Sequence, residues 1–177
     1  MSLLVLGILV AVFADLVAIT DDPPMLKEIK RRYKIIQKGL PHEDRWKLIC
    51  NKNAIITGTD RHSGIVGSNV NKGYEIYICI DGEDIESAMY VFLHELAHLT
   101  VSEYDHTQRF WDNFRDLRTI CTKLGVYSPV QSQMYCGEKV GEKPSTAGAV
   151  GSTSPDTASQ RKISPQQPEP KPPSQSA

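Results

Sequence analysis

The chain has neither a Cys-x-x-Cys motif nor a strong net charge, and each absence argues against one class of protein. The four cysteines are Cys50, Cys79, Cys121 and Cys136, and no two of them form a Cys-x-x-Cys motif. Their spacing therefore argues against a structural zinc site built from such motifs. Their even number permits two disulfides in an oxidising compartment, whereas in the cytoplasm all four would be free thiols. A formal net charge of −1 over 177 residues gives no global electrostatic basis for binding nucleic acid.

Histidine is also scarce, yet three of the five histidines lie within residues 94–106. Two of them belong to the run His94-Glu95-Leu96-Ala97-His98, in an apolar stretch typical of a buried helix. Residues four apart lie on one face of a helix, so both imidazoles can reach a single ion, and Glu95 can face a water beside it. This arrangement is typical of zinc hydrolases, in which the metal generates the nucleophile and the glutamate moves the proton. The alternative, buried histidines satisfied by hydrogen bonds alone, is disfavoured because burying such polar groups without partners is costly.

A catalytic zinc site needs a third protein ligand, which must come from beyond this helix. His106 follows His98 by eight residues, far enough for the chain to turn back, and imidazole suits zinc. Glu103 is the alternative ligand, although on a continuing helix it would point away from the two histidines. We therefore predict that Glu95 is the general base and that zinc is bound by His94, His98 and His106.

Together with His106-Thr107 and Phe110-Trp111, the motif resembles the zincin metallopeptidases of the WLM and SprT-like kind, and most of all those of large DNA viruses. The stretches 70–79 and 135–137 also resemble segments of that viral group, and the likeness covers roughly residues 25–140. It implies a zincin fold with the zinc ligands and the base named above. There are two departures from these patterns. The third histidine lies two residues further along the chain than in the cellular WLM pattern, and Asp105 stands where the viral proteins more often carry glycine. The glycine of the metzincin pattern is absent.

Apolar periodicity predicts an α+β domain over residues 21–142 with the motif on a helix, and the resemblance implies that this domain is a small zincin-like one with a short mixed sheet. The predicted elements are a helix over about 25–39, an extended stretch over 53–59, a turn over 60–64 and a strand over 74–80. Asp84 is expected to cap the motif helix, which starts at about Ile85. A last helix, ending at Gly125, is expected to bury an apolar stripe in the core; its members are Phe110, Phe114, Leu117, Cys121 and Leu124.

The first residues are the second informative feature. Residues 3–19 are apolar apart from Asp15 and contain no lysine or arginine. A helix of this length, about 25 Å, is marginally enough for a hydrocarbon core of about 30 Å, so we predict a membrane anchor over residues 1–20. A signal peptide, which implies a secreted protein, is the alternative; Val12-Phe13-Ala14 offers a cleavage site, but the positive n-region is missing. A buried core helix is the third interpretation.

The charges that follow this segment predict its orientation. Positive flanks favour the cytoplasmic side of a membrane, and the basic residues here are Lys27, Lys30, Arg31, Arg32, Lys34 and Lys38. We therefore expect a single-pass membrane protein with its catalytic domain in the cytoplasm. The same stretch has helical periodicity, so these residues are also expected to form the solvated face of a helix.

The end of the chain, residues 143–177, differs in composition from the rest. It contains seven of the eleven prolines and almost no large apolar residues, so we expect it to be disordered. Residues 162–168 match a loose basic-x-x-Pro-x-x-Pro pattern, typical of ligands of polyproline-binding domains. A tail without any such partner is the alternative interpretation.

The sequence thus predicts a membrane-tethered zinc metallopeptidase that hydrolyses peptide bonds in a protein or peptide substrate. In zincins a sheet edge borders the cleft and can pair with an extended peptide, and residues 76–79 are expected to supply that edge or an interior strand. One alternative is a non-catalytic, membrane-anchored structural or interaction protein on a zincin fold. Glu95 argues against it, because a purely structural zinc site needs no carboxylate there. Another alternative is a zinc hydrolase that acts on bonds other than peptide bonds.

Overall fold

The structure, a computed structural model, describes residues 21–82 and 84–142. Within these ranges it is a small α+β domain with a short mixed sheet, as the sequence predicted. The helices are α1 Pro24–Gly39, α2 Lys47–Asn51, α3 Ile85–Ala97 and α4 Gln108–Lys123. The strands are β1 Ile55–Thr59, β2 Gly67–Val70, β3 Glu75–Cys79, β4 Gln133–Tyr135 and β5 Glu138–Val140. Short 3₁₀ turns cover Asp44–Trp46, Arg61–Ser63 and His98–Thr100.

Helix α1 forms where the sequence predicted a helix, because its apolar residues recur every three or four positions. The side chains of Leu26, Ile29, Tyr33 and Ile36 are buried on that face. Proline is tolerated in the first turn, where its missing N–H has no helical partner, so the helix begins at Pro24. The buried face of α1 packs against α3, and the Tyr33 ring meets the Phe92 ring edge to face at 5.5 Å.

The main sheet has three strands in the order β1-β3-β2. Strand β3 is central: it pairs with β1 in parallel and with β2 in antiparallel fashion, and its Ile76 and Ile78 are fully buried. The predicted strand at 74–80 is therefore confirmed as an interior strand rather than an edge. The two edge strands are β1 and β2; the sequence did not predict β2, because Gly67-Ser68-Asn69-Val70 shows no apolar alternation.

Helix α3 carries the histidine motif through the middle of the domain. Its N-cap is Asp84, as predicted, and the carboxylate accepts hydrogen bonds from the backbone N–H groups of Glu86 and Ser87. The helix is buried on nearly every side from Ser87 to Ala97, which explains its continuous apolar sequence. It tightens into the 3₁₀ turn at His98, and the chain is extended from Val101.

Helix α4 and the C-terminal hairpin close the domain. The apolar stripe of α4 lies in the core as predicted: Phe110, Phe114, Leu117 and Cys121 are buried, and Leu124 packs against them. The hairpin of β4 and β5 is joined to the main sheet by a disulfide between Cys79 and Cys136. The other two cysteines are free thiols, so the cysteines combine the two alternatives allowed by the sequence: one disulfide and two thiols.

The prediction of a single-pass membrane protein with a cytoplasmic catalytic domain is contradicted. Across residues 21–82 and 84–142, no helix is both long enough and apolar enough to cross a membrane. A spanning helix needs about 20 mostly apolar residues, whereas α1 and α4 have 16 residues each and carry several charges. The segment 3–19 on which the anchor and signal-peptide interpretations rested lies outside the described residues, as does the predicted disordered tail with its polyproline-type pattern.

Candidate metal centre

Three histidines converge between α3 and α4. The four-residue spacing places His94 and His98 on one face of α3, where they are 7% and 8% exposed. His106 reaches them from the loop that precedes α4. The Nε2 atoms of His94 and His106 are 2.9 Å apart, and one ring nitrogen from each of the three residues lies within 4.8 Å of the others. In the part of the chain that the structure describes, this is the one group of three or more potential ligands so close together.

His106 can turn back because α3 ends early. After the 3₁₀ turn at His98–Thr100 the backbone is extended at Val101, so the next residues leave the helix axis. Thr107 then caps α4 through its hydroxyl, which accepts a hydrogen bond from the N–H of Phe110, and this places His106 directly before the helix. Glu103, the rival ligand, is exposed on the loop and is not a member of the cluster.

Aromatic rings surround the three imidazoles. The His106 ring is stacked on Trp111 with a centroid distance of 5.4 Å, and Phe110 lies 4.5–5.0 Å from all three histidine rings. Phe114 packs edge to face against His94 at 5.4 Å. The predicted core stripe of α4 therefore also forms the wall of the cluster, where it fixes the ring orientations. The stack on Trp111 was not foreseen, because nothing in the sequence shows that His106 folds back onto α4.

Burial holds all three imidazoles in the neutral form. It lowers the pKa of His94 well below the usual 6.5, and it lowers the pKa of His98 to about 4; in both residues the neighbouring His106 adds to the effect. Burial also lowers the pKa of His106. Because a metal ion binds imidazole through an unprotonated nitrogen, these residues are prepared to act as ligands near neutral pH.

Glu95 is buried beside the cluster with 2% of its surface exposed. Its Oε1 has no hydrogen-bond partner among the described residues, and burial raises the pKa of the carboxyl to about 8. An unpartnered carboxyl oxygen in the interior is destabilising unless a cation, a water or a substrate satisfies it. The donor set of three neutral imidazoles next to this carboxyl therefore fits a metal ion with a reactive water.

The edge strand β2 contacts α3 directly at the motif. The side-chain amide of Asn69 donates a 2.7 Å hydrogen bond to the backbone carbonyl of Glu95, and its Oδ1 accepts one from the N–H of Gly73. Asn69 thereby ties the motif helix to the turn between β2 and β3. Sequence reasoning missed this residue; the turn-type run Asn71-Lys72-Gly73 was the available signal that a hairpin precedes β3.

Comparison with known proteins places the chain in a family. Residues 26–170 match the WLM domain. The chain belongs to the WLM family. An uncharacterized protein of Acanthamoeba polyphaga mimivirus is 37% identical over 83 residues, or 41% of this chain and 42% of that protein. Another, from Invertebrate iridescent virus 6, is 29% identical over 111 residues, or 54% of this chain and 62% of that protein. Each match spans less than two thirds of the relative's own length, and no solved structure matches the chain significantly.

WLM membership confirms the resemblance that the motif predicted. The family is of the zincin-like metallopeptidase type, and the two relatives come from large viruses, as the sequence indicated. Membership indicates a peptidase or a related activity, and the three histidines form a cluster that could hold a metal ion.

Proposed function

We propose that this protein is a zinc-dependent peptidase whose catalytic domain comprises residues 21–142. The observation that carries the proposal is the convergence of three neutral imidazoles beside one buried carboxyl with an unpartnered oxygen. His94, His98 and His106 would bind the zinc ion, and Glu95 would act as the general base. Membership of the WLM family supports the same reaction class.

The donor set favours a catalytic zinc site over a structural one. Structural zinc sites are closed by four protein ligands, whereas catalytic sites use three and keep one position for water or substrate. When bound, zinc would lower the pKa of an adjacent water toward about 7 and polarise the scissile carbonyl. The three histidines would hold it against the aromatic wall of α4, with Glu95 on the side of the edge strand.

Glu95 would transfer the proton during hydrolysis. Its Oε1 would accept a proton from the attacking water and then pass that proton to the nitrogen of the departing amine. Burial raises the pKa of this carboxyl, whereas a bound zinc ion nearby would favour the carboxylate form, which is the form that accepts a proton. The role also explains a carboxyl oxygen that is buried without a partner.

Strand β2 offers the surface on which a substrate would lie. It is one of the two edge strands of the three-stranded sheet, so one side of its backbone is not paired within that sheet. An extended peptide can add to such an edge through main-chain hydrogen bonds. Gly67 of this strand lies against the carboxylate of Glu95, which would bring the bound peptide next to the base.

The five histidines of the chain provide a matched test of the metal site. We expect His94→Ala, His98→Ala and His106→Ala in the full chain to lose most of the bound zinc, as measured by elemental analysis after dialysis. The exposed His42 and His62 are the controls, and their alanine variants should retain wild-type zinc content. Full zinc occupancy in His106→Ala would refute the third ligand, and a wild type without zinc would refute the site as a whole.

A further inference from the structure

The turn between β2 and β3 has an unusual backbone. Three consecutive residues are left-handed: Asn71 and Lys72 have φ values of 51° and 52°, and Gly73 has 81°. Glycine adopts this conformation freely and asparagine tolerates it, but it is uncommon and unfavourable for lysine. A built Cβ on Gly73 would lie 2.5 Å from the Leu99 side chain, so the turn packs closely against the end of the motif helix.

Lys72 extends from this turn to the loop that carries His106. Its ammonium group donates hydrogen bonds to the backbone carbonyls of Val101, at 3.2 Å, and of Glu103, at 2.9 Å. The same group lies 4.2 Å from the centroid of the Tyr104 ring. One side chain thus contacts three of the five residues between the 3₁₀ turn and His106.

That loop has few other anchors. Between the buried Val101 and the half-buried His106, all four side chains are exposed: those of Ser102, Glu103, Tyr104 and Asp105. A segment without buried side chains gains little from packing to offset its conformational entropy. The two hydrogen bonds from the Lys72 ammonium, together with a 2.9 Å bond from the N–H of Thr107 to the Asp105 carbonyl, therefore restrain the course of this loop.

The backbone around Lys72 is itself fixed against the motif helix by hydrogen bonds. Asn69 bonds both to the Glu95 carbonyl and to the N–H of Gly73, and Lys52 donates to the carbonyl oxygen of Lys72. The turn is therefore fixed on α3 and contacts the His106 loop at the same time. It connects the element that carries His94, Glu95 and His98 to the element that carries His106.

We propose that Lys72 is a positioning residue for the third metal ligand. It holds the loop over residues 101–105 so that His106 stays within reach of His94 and His98. The proposal rests on the proposed metal site. The direction of the change in metal affinity distinguishes this role from a purely electrostatic one. Because the Lys72 ammonium and a metal cation repel each other, a purely electrostatic role predicts tighter metal binding when Lys72 is neutralised.

The test is a double-mutant cycle on the full chain, with Co²⁺ and Zn²⁺ affinity measured by chelator competition. Partners that orient metal ligands typically contribute about 10-fold or more to affinity, so Lys72→Met should weaken binding by about that factor and alter the Co²⁺ absorption spectrum. Lys72→Arg, which keeps the donors, should stay within about 3-fold of wild type. In the His106→Ala background, Lys72→Met should change the affinity by less than about 2-fold, because the ligand it positions is gone.

Three results would overturn the role of Lys72: unchanged or tighter binding in Lys72→Met, an equal loss in the His106→Ala background, or no rescue by arginine. The exposed Lys139→Met is the control and should bind metal as wild type does. If Lys72→Met does not fold, Lys72→Gln enters the same cycle with the same expectations. If the wild type binds neither metal, the proposed function and the role of Lys72 are overturned together. If the wild type binds metal and Lys72→Met binds it equally well, only the role of Lys72 is overturned.

Discussion

Gly67 of the edge strand leaves the space that the carboxylate of Glu95 occupies. A Cβ built on Gly67 would lie 2.8 Å from Oε1 of Glu95 and 2.5 Å from a methyl carbon of Val91. Ordinary contacts of a Cβ are longer than either distance, so any side chain at this position must displace the carboxylate or the strand. The position of the Glu95 carboxylate, the proposed base, therefore requires the absence of a side chain at position 67 of the proposed peptide-binding strand.

The first prediction is that Gly67→Ala impairs catalysis more than it impairs metal binding. Displacing a general base by about 1 Å commonly costs on the order of 100-fold in rate, so kcat should fall by one to two orders of magnitude. Zinc content should stay at the wild-type level, because the histidines are untouched. Gly58→Ala on β1 is the matched control, since the three atoms nearest to its new methyl all belong to the side chain of Ile80. Equal kcat values for the two variants would contradict the contact.

The second prediction concerns the pH dependence of stability in metal-free protein. Glu95 has a pKa of about 8 when folded and an ordinary value of 4.5 when exposed. Between these values the unfolded chain releases a proton that the folded chain retains, so the contribution of Glu95 to stability falls as pH rises. Glu95→Gln stays neutral and should exceed wild type in unfolding free energy by an amount that grows from pH 4.5 to 8, to on the order of 4 kcal/mol.

Urea unfolding of chelator-treated wild type and Glu95→Gln across this range measures that difference. His98, whose pKa burial lowers to about 4, destabilises the folded state as pH falls from 6.5. It is present in both proteins, so its effect cancels in the comparison. A difference between the two proteins that does not vary with pH would contradict the buried, protonated carboxyl.

The third prediction is that the disulfide stabilises the domain. Cys79 and Cys136 are 57 residues apart and join the C-terminal hairpin to the central strand of the sheet. Breaking such a link typically costs about 2–4 kcal/mol, so Cys136→Ser should lower the unfolding free energy by that amount under oxidising conditions. Cys50→Ser removes a free, half-buried thiol and serves as the control. Wild type and Cys136→Ser should become equally stable in a reductant; a difference that persists there would contradict the disulfide as its cause.

Local signals predicted most of the elements that carry the candidate site. The apolar period of α1, the alternation of β3 and the capping Asp84 of α3 each lie within a few neighbouring residues, and all three appear where expected. The placement of His94 beside His98 follows from helical spacing alone. These features depend on backbone geometry within one element, which a sequence specifies well.

Features that depend on contacts between elements were not predictable in the same way. Strand β2 has no apolar pattern of its own and exists because β3 pairs with it. The roles of Asn69 and Lys72 arise only when the turn packs on the end of the motif helix, 26 and 29 residues further along the chain. The prediction of a single-pass membrane protein is contradicted as well, because no helix in residues 21–82 and 84–142 is both long enough and apolar enough to cross a membrane.

The most direct test of the central claim is peptide cleavage by the zinc-loaded full chain beside Glu95→Gln of equal zinc content. Glutamine keeps the size of the side chain but cannot take up the proton, so the account predicts that wild type cleaves members of a mixed peptide library and that the variant loses at least about 100-fold in rate. Bound zinc confirmed in both samples excludes metal loss as the cause. Cleavage by Glu95→Gln at the wild-type rate, or no cleavage by zinc-loaded wild type, would contradict the proposed peptidase.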